Sequence, residues 1–151
     1  MTNSILLDAA LRYANADVKI FPSYGVVDGR CTCGNLSCAN AGKHPQTPRG
    51  FKDATAEVAA IEQFWSRHPN ANIGAPTGRV NKFVALDLDV GHGGNKTLGQ
   101  LLQSLGDLPD TPTSITGSGG RHIFFASSEI ALPNKQPIPG YTQIDFRGDG
   151  G

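Results

Sequence analysis

The sequence predicts a mixed α/β (α+β) fold, with a partly antiparallel sheet, helices on one face and a cysteine-rich loop inserted into it. Three observations lead there. Segments with apolar residues at i, i+3, i+4 and i+7 are interspersed with short runs in which apolar and polar residues alternate, the periods of helix and strand. The two strands flanking Ser118–Gly120 are joined too tightly for a parallel crossover, so they pair antiparallel. Between Gly29 and Gly50 neither period holds. That stretch is rich in Cys, Gly, Asn and Pro, and a loop of this length with no core of its own needs another reason to be ordered.

Each element follows from local signals. Ser4 to Ala14 predicts an amphipathic helix with Leu6, Ala10 and Tyr13 on one face and Asn3 or Ser4 as cap. "VKIFPSYG", Val18 to Gly25, is a short strand that Pro22 ends. Thr55 caps a second helix reaching about His68; Val58, Ile61 and Trp65 are its buried stripe, and Pro69 stops it. "NIGAPTG", Asn72 to Gly78, is a strand and turn, followed by the strand in "KFVALDLDV". A third helix spans Asn95 to Leu105, with Leu98, Leu101, Leu102 and Leu105 at helical spacing and Gly106 closing it. Thr113–Gly117 and Arg121–Ser127 are the tightly joined strands, and "TQIDFRG" is the last, after the proline-rich "LPNKQPIPG".

Composition narrows the function classes. The chain has 151 residues, enough for one domain with a core, and is 38% apolar and 17% charged, as expected of a globular protein. Thirteen basic residues balance 13 acidic ones, which argues against indiscriminate binding to polyanions but permits local basic patches. With 19 glycines and 10 prolines, many turns are expected. No apolar run approaches the ~18 residues of a membrane span. The N-terminus has no basic region ahead of an apolar stretch, so the expected location is the cytoplasm. In that compartment three cysteines within eight positions suggest a metal rather than a disulfide.

The candidate chemistry lies in four stretches. Val84, Leu86 and Leu88 point into a core, so Asp87 and Asp89 point together to the other side; paired carboxylates there can hold hard cations that clamp phosphate oxygens, or can simply be solvated at a strand end. Two acids so close repel, so removing either should stabilise the metal-free fold. Asp145 leaves the core face between Ile144 and Phe146. It would complete a two-metal site, or else pair with Arg147. Gly117, Gly119 and Gly120 permit a turn whose amides face an anion, and His122 follows on the face of Phe124, opposite Ile123 and Phe125, as a ligand-binding or a packed histidine. Finally, Cys31, Cys33, Cys38 and His44, spaced C-x-C-x4-C-x5-H, suit a structural tetrahedral zinc that would order the long loop; the alternative is three free surface thiols.

Taken in order, the cysteine loop ending in "GKHP", then "NIGAPTG", "ALDLDV", "TGSGGRHIFF" and "IDFRGDGG", resemble the primase–polymerase (prim-pol) domain of the archaeo-eukaryotic primase superfamily, the type found in phage and plasmid replication proteins. The resemblance covers nearly the whole chain. It implies an RRM-like catalytic palm beside a smaller α/β unit, and template-directed DNA primase/polymerase activity. It also implies two Mg²⁺ or Mn²⁺ ions held by Asp87, Asp89 and Asp145, and a triphosphate held by Ser118, Gly119, Gly120 and His122. It implies Zn²⁺ held by Cys31, Cys33, Cys38 and His44, and Arg121, Arg147 and Lys43 are candidates for further phosphate contacts. The implied partners are single-stranded DNA template, nucleoside triphosphates and a helicase domain or subunit. The family domain is expected to continue with closing strands, so the single domain 1–151, with its zinc insertion at about 29–50, reads as truncated at its C-terminus.

Two other classes compete. A non-catalytic nucleic-acid- or nucleotide-binding module would use the zinc loop as its main contact. A sugar-nucleotide transferase or aspartyl phosphatase would use the DxD pair for other chemistry, but the phosphatase pattern needs a threonine where this chain has Gly91.

Overall fold

The computed structural model describes residues 5–127 and 129–151. The chain divides into two compact units, Met1–Pro76 and Thr77–Gly151. The predicted N-caps Asn3 and Ser4 lie outside the described residues.

In the first unit, helix α1 (Ile5–Asn15) buries Leu7, Ala10 and Ala14, with Leu6 and Leu11 partly covered. Tyr13, expected on the buried face, is 49% exposed: the stripe is rotated so that small alanines meet the neighbouring helix. Asp17 adopts a left-handed conformation (φ 57°) and ends the helix, its N–H bonded to the Ala14 carbonyl. Helix α2 (Val58–Arg67) buries Ile61 and Trp65, whose indole N–H donates to the Ala71 carbonyl at 3.0 Å.

Two expectations about α2 are corrected. Thr55 does not cap it, because its backbone N–H and C=O are both bonded to Ile20, which keeps it extended until the helix starts three residues later. Val58 is 40% exposed, since the first turn projects past the cluster formed by Leu7, Ala10, Ile20, Ile61 and Trp65.

Strand β1 (Phe21–Ser23) contains Pro22 rather than ending at it. Proline's fixed φ suits an extended backbone in a two-stranded sheet, and the Pro22 carbonyl still accepts from Gln46 N–H. A two-residue hairpin, β2 (Val26–Val27) and β3 (Arg30–Cys31), turns through Asp28 and Gly29, both at positive φ. The loop then returns alongside β1, where Ser23 bridges Pro45, and β4 (Asn72–Gly74) pairs antiparallel on β1. Gly74 leaves room for the Phe21 ring, which a Cβ would approach to 2.5 Å.

The second unit is a four-stranded sheet in the order β6-β7-β5-β8: β5 (Phe83–Leu88), β6 (Thr113–Ile115), β7 (Arg121–Ala126) and β8 (Ile144–Arg147). Every strand pairing among the described residues is antiparallel. Helix α3 (Gly94–Leu105) covers one face with Leu101, Leu98 and Leu102 against Leu86, Leu88, Ile123 and Ile144. Leu105, placed in the stripe by its spacing, is 74% exposed, because the helix ends at Gly106 beyond the edge of that cluster. In "FVALDL", Val84, Leu86 and Leu88 are buried and Asp87 lies on the opposite face, where the small Ala85 is buried as well.

Candidate active site and metal centre

Asp87 sits on the central strand, directly opposite His122 of β7 on one side and Asp145 of β8 on the other. Ser114 of β6 faces His122 in turn. Strand register therefore draws Ser114, His122, Asp87 and Asp145 into one row across the sheet face that α3 leaves open. Arg147, two residues beyond Asp145, shares that face by alternation. Its Nη2 lies 2.7 Å from Asp87 Oδ2 and 3.1 Å from Asp145 Oδ2, and its Nε donates to the same Asp87 oxygen at 3.2 Å. The His122 Nε2 is 3.3 Å from Asp87 Oδ1. His122 holds the Asp87 carboxyl down to about 2; partial burial opposes this and the Arg147 guanidinium reinforces it.

Asp89 stands apart from this row. It lies one residue beyond β5, where a short 3-10 turn (Val90–His92) begins, so strand alternation no longer orients it. Its carboxylate pairs with His92 Nδ1 at 2.7 Å, and its N–H donates to the Gln143 carbonyl.

The turn joining β6 to β7 packs against the end of β5; a Cβ on Gly120 would lie 2.6 Å from the Leu88 carbonyl. Gly119 takes φ +84° and spends its N–H on the Thr116 carbonyl, while Ser118 Oγ lies 3.2 Å from Thr116 Oγ1. Arg121 is exposed on the face opposite His122, and Lys43 belongs to the first unit, in the cysteine loop.

That loop gathers its four predicted ligands. The Sγ atoms of Cys31, Cys33 and Cys38 and a His44 ring nitrogen all lie within 4.8 Å of one another. His44 Nε2 is 3.4 Å from Cys31 Sγ and 3.5 Å from Cys38 Sγ. Zinc bonds of about 2.3 Å to sulfur and 2.0–2.1 Å to nitrogen set tetrahedral S···N edges of about 3.5 Å, so the donor set fits this ion. Backbone N–H groups of Cys33 and Gly42, with His44, pull the Cys31 thiol down to about 6, against the opposing effect of burial. The cluster could therefore hold zinc with Cys31 as thiolate.

The structure also shows supporting residues that the sequence reading passed over. Asn72 Nδ2 donates to the Gly42 carbonyl at 2.9 Å, tying β4 to the loop, and the Tyr24 ring lies 4.6 Å from that of His44. At the far end of the sheet, Arg79 pairs with Asp149 at 3.0 Å and Thr77 donates to the Gly148 carbonyl, which anchors the chain just past Arg147. The Asp28-Gly29 turn carried a readable hairpin signal, and Arg147's spacing from Asp145 placed it on the acidic face. The Thr77 and Arg79 contacts span about 70 residues and leave no local trace.

The fit of a hard divalent cation can be judged on the row itself. Two carboxylates opposed in the ladder already hold a cationic group between them, and their oxygens are the donors that Mg²⁺ and Mn²⁺ prefer. The donor set fits.

Fold and site together define an α/β protein with an acid, histidine and arginine row on an open antiparallel sheet and a separate Cys3His cluster. The chain belongs to the Prim-Pol family, the N-terminal domain of bifunctional DNA primase/polymerases, whose family model matches residues 10–151. Membership implies a primase/polymerase-type domain of the nucleotidyltransferase class, a kind of domain that would act on DNA and nucleotides. No curated protein matches the chain. Among the described residues, no helix is long and apolar enough to cross a membrane.

Proposed function

We propose that the domain carries out template-directed nucleotidyl transfer in DNA replication of the phage, plasmid or prophage type. A primer 3′-hydroxyl or an initiating nucleotide attacks the α-phosphate of the incoming nucleotide, and pyrophosphate leaves. Asp87, Asp145 and Asp89 would hold Mg²⁺ or Mn²⁺, which when bound supplies charge stabilisation for the attacking and leaving oxygens. Asp89 reaches this role by giving up His92. His122, with the Ser118 hydroxyl and the glycine turn, holds the triphosphate, and Arg147 adds a phosphate contact. The strand order β6-β7-β5-β8, with β5 central, supports an RRM-like palm.

The observation that carries this reading is the register that sets Asp87 opposite both His122 and Asp145. The test is primer extension and de novo synthesis on single-stranded DNA with Mg²⁺ or Mn²⁺, using this chain, a longer version and Asp87→Asn. Metal-dependent synthesis that Asp87→Asn abolishes is the expected result. DNA or nucleotide binding without synthesis by either length would overturn it in favour of a binding module built around the zinc loop.

A further inference from the structure

Arg147 is placed where a metal ion would be expected. One guanidinium joins two carboxylates that oppose each other in the ladder, 2.7 Å from Asp87 and 3.1 Å from Asp145. The other Asp87 oxygen is taken by His122. The three side chains of the bridge keep between 25% and 31% of their exposure, so ions from solvent reach it. A divalent ion on these oxygens would sit about 2.0–2.2 Å from them, within a few ångströms of the guanidinium. Two cations at that separation in a half-buried site repel strongly. A cation and the guanidinium on the same carboxylates therefore weaken each other's hold.

We propose that Arg147 is a displaceable internal cation. It holds Asp87 and Asp145 together in the metal-free protein, and divalent-ion loading frees its guanidinium to meet the phosphates of the incoming nucleotide. The inference rests on the nucleotidyl-transfer reading and adds an order of events to it. Arg147 weakens metal binding in the absence of nucleotide, and its phosphate contact becomes available only once the carboxylates are occupied. The contact is thereby withheld from anions that arrive before the metal. A long side chain on the last residue of β8 suits this role, since its head can leave the carboxylates while the strand stays paired.

The test is a Mn²⁺ titration of zinc-loaded protein without nucleotide, with free Mn²⁺ read by electron paramagnetic resonance. Wild type, Arg147→Gln and Asp87→Asn are compared after thermal melts establish folding. Arg147→Gln is expected to bind Mn²⁺ about tenfold more tightly, the scale of one lost charge-assisted competitor, and Asp87→Asn to lose the site. If wild type binds through Asp87 but Arg147→Gln binds equally or more weakly, displacement is overturned and the metal reading stands. If Asp87→Asn changes nothing and Arg147→Gln gains nothing, both are overturned. A second readout needs no variant: the Arg147 Nε–H resonance of wild type should move on saturation with Mg²⁺, and an unmoved signal at saturation overturns the proposal.

Discussion

His122 and Asp87 face each other across the β5–β7 ladder, imidazole Nε2 to carboxylate Oδ1 at 3.3 Å, and the histidine side chain stays 38% exposed. A ring so placed is accessible to a ligand and fills no cavity. His122→Ala is therefore expected to lower kcat/KM by about 10- to 100-fold through a raised nucleotide KM, with a Tm loss at neutral pH limited to that of its bond to Asp87. A Tm loss matching a packing defect on the order of 2 kcal/mol, with unchanged KM, would show a purely structural residue.

The same pair sets an acid limb on stability. Folded Asp87 titrates at about 2 against an ordinary 3.8, so the folded state takes up this proton less readily than the unfolded chain. The stabilisation is complete above about pH 4 and is lost as pH falls through about 2. Asp149 and Asp53, lowered chiefly by the Arg79 and Arg49 N–H groups, act in the same direction. Urea midpoints should stay level from pH 7 to 5 with respect to these groups and drop below about 4. His122→Ala should flatten that drop; an acid limb identical to wild type would remove His122 as its main source.

Asp87 and Asp89 should differ in the metal-free protein. Repulsion between them would make the loss of either stabilising, but Asp87 is ion-paired with Arg147 and within reach of His122, and Asp89 is paired with His92. Asp87→Ala is expected to cost about 1 kcal/mol, a charged hydrogen-bond pair discounted for partial exposure, whereas Asp89→Ala changes stability little. Both should abolish synthesis. Equal urea midpoints for Asp87→Ala and wild type would contradict the ion-pair account.

Metal analysis should find about one zinc per chain, the stoichiometry of a four-ligand structural site. Cys33→Ser or Cys38→Ser should lose it and raise hydrogen exchange across 29–50 while α1 and α2 stay protected. Asn72→Ala, which cuts the tie to Gly42, should weaken zinc binding by about tenfold. A metal-free chain with a fully protected loop would contradict the assignment.

In the first core, Ile61→Ala should destabilise by about 2–5 kcal/mol, since Ile61 is 1% exposed against Trp65, while Val58→Ala should have a far smaller effect. Chemical denaturation followed by Trp65 fluorescence separates the two.

Alternation made Asp87, His122 and Asp145 legible as residues leaving the core, because the pleat fixes side without knowledge of partners. It could not say that β5 stops at Leu88, since Asp89 is turned by a carbonyl bond to Gly94 N–H and a glycine-rich turn after it. Helical spacing located α1, α2 and α3 but assigned Tyr13, Val58 and Leu105 to buried stripes. How far a stripe is covered depends on where the neighbouring element ends, which no window of sequence contains. The four residues that gather into the Cys3His cluster were readable from residue type and clustering alone. Arg147's side was readable too, but its bridging of two acids needed the β5–β8 register.

The two candidate centres close chain segments of very different length. Cys31 and His44 are 13 residues apart, whereas Arg147 reaches Asp87 across 60. By the logarithmic cost of loop closure, the longer connection is dearer by about 1.4 kcal/mol before any contact rewards it. The cysteine loop can thus close on an ion while the rest of the chain is still unstructured, even during synthesis on the ribosome. The acidic row comes into existence only when β8 docks, so a half-folded chain could hold an ion at its cysteines and yet lack the candidate catalytic row altogether.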